Sequence, residues 1–245
     1  MHATYTFDFL ATVSAQLVEN LDSLPVSPLA SSLDALEEFQ QTSGFIQGVY
    51  LLHEGAQPVY LGKADNVHER LKQHLRKLSG RRNIVLPDIG YKALLLDSSM
   101  STAANEAVLI HLYEANHEAM WNRRGFGPKD PGKERDTTTP SAFDRDHPII
   151  TDFAVDTVED RETIETLFGK MKVGLPYVFR HQIGAAGRTV IDMTGVPRNA
   201  EALLRAAMRG LPRGWHGAIL SYGMVVYNVP PKQYPADVVV IESGA

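Results

Sequence analysis

Apolar positions change period along the chain, and those changes divide it into elements. In residues 6–22, Phe9, Leu10, Val13, Leu17 and Leu21 recur at helical spacing and predict an amphipathic helix. Pro25 and Pro28 mark a loop, and Leu33–Phe39 predicts a short second helix. At 48–52 and 58–61 the runs become β-rich and flank the turn-like HEGAQ, which predicts a hairpin with one tyrosine in each arm. Helical spacing returns at Val67, Leu71, Leu75 and Leu78, behind a cap from Asp65 or Asn66, and Asn66 with Glu69 approximates a capping box. Tyr91–Leu96 predicts a third strand. Ser98–Thr102 offers N-caps for a helix over 103–116 that buries Ala104, Val108 and Leu112 and carries Glu106 in its first turn.

Beyond this helix the pattern breaks. Residues 120–136 are rich in Gly, Pro and charge and predict a loop, and 144–148 predicts a linker ahead of a domain boundary near 150. The tail predicts a helix from Asp156 to about Met171, stopped by Gly174 and Pro176. Strands follow at 177–181, 189–193, 218–229 and 237–242, with a helix over 199–209 between the second and third. The fold class is therefore α+β. Residues 1–47 form a helical extension, 48–149 a domain of hairpin, third strand and helices, and 150–245 a smaller α+β domain of unknown role.

Composition narrows the class. With 245 residues and 44% apolar content the chain can bury a sizeable core, and the absence of cysteine excludes disulfides and thiolate metal sites. No apolar run reaches the length of a membrane span and no leader layout opens the chain, so the cytosol is the expected compartment. The net charge of −5 argues against indiscriminate nucleic-acid binding, but charge is unevenly spread. Residues 1–47 hold six carboxylates and no Lys or Arg, whereas 63–92 hold eight Lys or Arg against three acids. The 120–136 loop adds five basic residues against three acids. The tail shows no phosphate-binding loop, nucleophile elbow or metal-ligand spacing, and His181, His216 and Arg180 stand singly there as structural residues.

The basic region coincides with the chemistry-bearing residues. Arg70 and His74 lie four apart, one helical turn, and the hairpin supplies Tyr50 and Tyr60. Hydrolysis of a phosphodiester needs a base for water, positive charge on the phosphate and help for the departing oxygen. A tyrosine phenolate favoured by nearby cations could take the proton, and a guanidinium donates two parallel hydrogen bonds to phosphate. Glu106 could hold a hard divalent ion through oxygen.

In this order, GVY at 48–50, VYLG at 59–62, Arg70 with His74, Glu106 and Asn122 resemble the GIY-YIG nuclease domain, with Val49 and Leu61 in place of two isoleucines. The resemblance implies a central antiparallel sheet, one Mg²⁺ or Mn²⁺ held by Glu106, and catalytic roles for Tyr50, Tyr60, Arg70, His74, Glu106 and Asn122. YLGKA at 60–64, His74 and the WN-x-x-GFG loop are similar to the type II restriction endonuclease branch. That likeness implies a homodimer cutting both strands of double-stranded DNA. The expected nucleic-acid contacts are Lys63, Lys72, Arg76, Arg81, Arg82, Arg123, Arg124 and Lys129. Two other readings stand beside it. One is a repair, mobile-element or defence nuclease without a palindromic target, and the other is a binding module that has lost catalysis.

Overall fold

In the computed structural model, which describes residues 4, 8–97, 121–127, 132–229 and 233–244, the backbone groups into two units, 1–75 with 85–127 and 76–84 with 128–245. Glu106 and Lys129, with the helix expected over 103–116, lie outside the described residues.

The first unit opens with α1 (Phe9–Ser23), capped by Asp8, whose Oδ1 accepts from the Ala11 amide at 2.9 Å. Val13, Leu17 and Leu21 are buried, but Phe9, expected on the same stripe, is 55% exposed. A two-residue strand β1 (Ser27–Pro28) and α2 (Leu33–Ser43) lead to β2 (Gly48–Glu54) and β3 (Gln57–Ala64), the expected hairpin. The next helix, α3 (Val67–Ser79), starts where Asn66 Oδ1 accepts from the Glu69 amide at 3.2 Å. Strand β4 (Ile89–Leu95) completes an antiparallel sheet of order β1-β4-β2-β3. Flanked on both sides, β2 is buried from Gly48 to His53. Its alternate residues divide between the two faces of the sheet. Val49 and Leu51 form one core with Leu61, Leu96 and the stripe of α1; each leucine fully buried in this way contributes roughly 1.5–3 kcal/mol. Tyr50 and Leu52 point the other way.

The second unit contains α4 (Ala142–Asp146), β5 (Arg161–Thr163), α5 (Ile164–Gly174), β6 (Val178–His181), β7 (Val190–Asp192), α6 (Ala200–Gly210), β8 (His216–Leu220), β9 (Gly223–Tyr227) and β10 (Val239–Glu242). Its main sheet has the order β10-β8-β9-β6, with β6 parallel to β9 and the other pairs antiparallel, and β5 pairs with β7. Leu167, Phe168 and Met171 of α5 and Leu203, Leu204 and Ala207 of α6 join one large core.

Three expectations change here. The run 218–229 is not one strand but the β8 and β9 hairpin, its turn at Ser221 and Tyr222 hidden inside a continuous apolar stretch. The helix expected from Asp156 begins only at Ile164, because residues 161–163 pair with β7 and Thr163, accepting from the Thr166 amide at 3.2 Å, supplies the cap. Residues 144–148 are not a plain linker, since Asp144 is buried within α4. The units also divide differently from the expected break at 150. The Arg82 amide donates to Pro148 O at 2.8 Å and the Ile150 amide to Gly80 O at 2.9 Å, which ties 76–84 and 128–149 into the second unit.

Candidate active site

Pairing register explains how two tyrosines ten positions apart come to share a face. Tyr50 lies opposite Gly62 and Leu52 opposite Tyr60, so the phenols are diagonal neighbours on one side of the hairpin, ring centres 6.1 Å apart. Gly62 makes the arrangement possible: a Cβ there would stand 2.3 Å from Tyr50 Oη. The helix α3 brings His74 to the same side. Tyr50 Oη and His74 Nε2 form a 2.8 Å hydrogen bond, and the two residues are 1% and 3% exposed. Tyr60, half-buried, packs edge-on against the His74 ring at 5.3 Å. A phenol hydrogen-bonded to imidazole away from bulk water is a pair poised for proton transfer.

The remaining expected residues separate by what they touch. Arg70 stands one turn before His74, partly exposed, and its Nη1 donates to Gln73 Oε1 at 3.2 Å. Asn122, expected among the catalytic groups, turns its amide to the backbone of β3: its Oδ1 accepts from the Leu61 amide at 2.9 Å and its Nδ2 donates to Leu61 O at 2.7 Å. It thereby fixes the strand that carries Tyr60. Glu106 lies outside the described residues, and among those residues no group of three His, Asp or Glu could hold a metal ion.

Burial also sorts the basic residues. Lys72, Arg82 and Arg123 are exposed, while Lys63 and Arg124 are half-buried. Arg76 donates to the carbonyls of Val173 and Leu175, the latter at 2.9 Å, so its charge serves the close of α5. Arg81 departs furthest from expectation. It is 4% exposed, pairs with Asp144 at 3.0 Å and donates to His147 O and Ser221 O at 2.9 and 3.1 Å. A guanidinium so enclosed organises its own unit and does not face a phosphate backbone. Asp144 also binds Arg135 and accepts from Ser141 Oγ at 2.7 Å. Lys77, beside this group and 5.6 Å from the Phe143 ring centre, has its pKa lowered to about 8 by burial first and by Arg81 second.

Two features went unnoticed in the sequence. Trp121 and Phe126 join the tyrosines and His74 in one aromatic cluster, Phe126 stacking on the imidazole at 5.0 Å. In the second unit, buried Asp136 accepts from Tyr222 Oη at 2.6 Å and Tyr227 Oη at 2.9 Å and pairs with Arg180. Burial, followed by the hydrogen bond to Asp136, pushes both phenols far above their ordinary pKa. Trp121 and Phe126 stood in the quoted WN-x-x-GFG motif, but their packing on His74 depends on contacts distant in sequence, and Asp136 reads as one more charge in a mixed-sign stretch.

Against known sequences, residues 52–172 match the family described as the Eco29kI GIY-YIG domain. The matched stretch begins two residues past Tyr50 and takes in Tyr60, Arg70, His74, Glu106 and Asn122. This match supports the GIY-YIG superfamily for the stretch it covers. A second similarity is to UvrABC system protein C of Fervidobacterium nodosum, 28% identical over 74 residues, which are 30% of this chain and 13% of that protein. Members of the GIY-YIG superfamily are endonucleases, hence phosphodiester hydrolases. Its central antiparallel sheet corresponds to β1-β4-β2-β3 of the first unit. No helix among the described residues is long and apolar enough to cross a membrane.

Proposed function

We propose that this protein is a metal-dependent DNA endonuclease of the type II restriction kind, in which Tyr50 is the general base and His74 receives its proton. The observation that carries the reading is the buried 2.8 Å hydrogen bond between Tyr50 Oη and His74 Nε2. Transfer of the phenolic proton to Nε2 leaves a phenolate that takes a proton from the attacking water. Arg70, one turn before His74, and the half-buried Tyr60 hydrogen-bond the scissile phosphate, the guanidinium neutralising charge that builds on its oxygens. Asn122 keeps Tyr60 in place through Leu61. The described donors are phenols, an imidazole and a guanidinium, none of them a ligand a hard divalent ion prefers. The fit of Mg²⁺ or Mn²⁺ therefore rests on Glu106. Bound there, the ion would stabilise charge on the departing 3′ oxygen.

DNA is engaged by the exposed Lys72, Arg82 and Arg123 and by Lys63, Arg124 and Lys129. Two copies acting together in the cytosol would cut both strands, each contributing one Tyr50–His74 pair. The match to the Eco29kI domain supports the restriction reading. A GIY-YIG nuclease whose target is not a palindrome is the second reading, favoured by the similarity to UvrABC system protein C.

Digestion of a mixed-sequence plasmid with Mg²⁺ or Mn²⁺, followed by sequencing of the ends, separates these readings. Discrete fragments sharing one palindromic site support the first, and a smear or nicks at distorted structures the second. Glu106→Ala is expected to abolish cleavage while retaining DNA binding in a mobility-shift assay. Full cleavage by that variant overturns the site assignment.

A further inference from the structure

We propose that Phe126 is a positioning residue for the Tyr50–His74 pair, an inference that rests on the nuclease reading above. Phe126 is 2% exposed and touches the site on two sides. Its ring stacks on His74 with centres 5.0 Å apart and planes at 30°, and meets Tyr60 edge-on at 5.0 Å and 82°. Trp121 backs it at 5.1 Å. The backbone holds it there: the Phe126 amide donates to Trp121 O at 3.3 Å, and Asn122, between them, is bonded twice to Leu61. Gly127 follows with φ of +97°, and a Cβ on it would stand 2.6 Å from Tyr60 Oη. The chain is thus drawn tightly around the two rings.

Two consequences follow from that contact. An imidazole turns easily about its terminal torsion and has two chemically distinct nitrogens, so its orientation has to be imposed. A flat ring stacked on one face, with Tyr50 and Tyr60 against it at 5.5 and 5.3 Å, holds the plane of the His74 ring in which Nε2 reaches Tyr50 Oη at 2.8 Å. The second consequence concerns charge. When the proton leaves Tyr50 Oη and bonds to His74 Nε2, the neutral pair becomes phenolate and imidazolium with no change in total charge. Both form where water is nearly absent, which disfavours them. The negative face of the Phe126 ring lies over the imidazolium and offsets part of that cost. Phe126 touches no substrate in this scheme and acts only through His74.

Phe126→Leu keeps an apolar side chain and removes the aromatic face. Expected is a fall in kcat of about tenfold or more with KM for the plasmid within about twofold, since the lost interaction belongs to proton transfer and not to DNA binding. Phe126→Tyr, which keeps the ring, is expected to restore most of the rate. In a His74→Gln background the same Phe126→Leu change is expected to lower kcat less than about twofold, because the residue it acts through is gone. An equal loss in both backgrounds would show a merely structural role and overturn the proposal. The ¹⁵N shifts of the His74 imidazole give a readout independent of cleavage. In the wild type they should report one fixed tautomer, and in Phe126→Leu an averaged one; unchanged shifts overturn the proposal. If Phe126→Leu does not fold, Phe126→Met is carried through the same two measurements with the same criteria. Wild-type protein that cleaves no DNA with any divalent ion refutes the nuclease reading, while the imidazole shifts still decide whether Phe126 holds His74.

Discussion

Gly62→Ala tests the geometry of the site through a single added methyl. Gly62 lies opposite Tyr50 in the hairpin, and its new Cβ would stand 2.3 Å from Oη and 2.4 Å from Cζ, where ordinary contact begins at 3.4 Å. To restore contact the phenol has to retreat by the difference of those distances, about 1.1 Å, a displacement on the scale that separates productive from unproductive alignment. Moved directly away from His74 by that amount, Oη would sit about 3.9 Å from Nε2 in place of 2.8 Å, outside hydrogen-bond range. The expected loss in single-turnover cleavage is about 100-fold, since 1 Å of misplacement costs on that order. Tyr50 is 1% exposed, so its ring also has to push on a packed core, at about 1–3 kcal/mol of stability. For a chain of this size each kcal/mol lowers Tm by roughly 2–4 °C. Saturating enzyme on supercoiled plasmid gives the rate, and scanning calorimetry the stability. A wild-type rate in a variant whose Tm is also unchanged would refute the claim that Gly62 makes room for a catalytically required phenol.

Two further predictions concern the second unit. Arg81→Ala takes from the buried Asp144 one of its two guanidinium partners and is expected to destabilise the protein by about 3 kcal/mol, whereas Arg82→Ala, at an exposed position, should leave stability within about 0.5 kcal/mol and weaken DNA binding at low salt; urea denaturation and salt-dependent binding check the pair, and equal stability of the two variants refutes the assignment. Lys77 has a folded pKa near 8 against an ordinary 10.5, so between those values the unfolded chain binds more protons and stability rises with pH; below about 8 both states are charged and the penalty is constant. Lys77→Met should therefore exceed the wild type in stability at pH 7 and lose that advantage as pH rises toward 10.5, and a pH-independent difference in denaturation midpoint contradicts the burial argument.

Some of this was legible from residue spacing and some was not. Val67, Leu71 and Leu78 are buried on α3 as their period requires, and four-residue spacing set Arg70 and His74 on one flank of it. The hairpin was equally plain, because GVYLL and PVYL differ in character from the HEGAQ between them. What failed depends on contacts distant in sequence. Arg81 and Arg82 are indistinguishable as neighbours, and only the approach of Asp144, His147 and Ser221 makes one of them interior. The role of Asn122 depends on which side of β3 faces away from β2 among the described residues, a property of the assembled sheet. The start of α5 was misplaced for a related reason: Asp156 and Glu159 form a respectable local signal, but pairing of 161–163 with β7 outweighs it.

The amide of Asn122 has a consequence away from chemistry. In the described sheet β3 has a neighbour only in β2, so its outer margin presents backbone groups able to template a foreign strand. At the middle of that margin, the Leu61 amide and carbonyl are both occupied by a side chain of the same molecule. The contact that steadies Tyr60 therefore also occupies the backbone groups through which a foreign strand would add at this point.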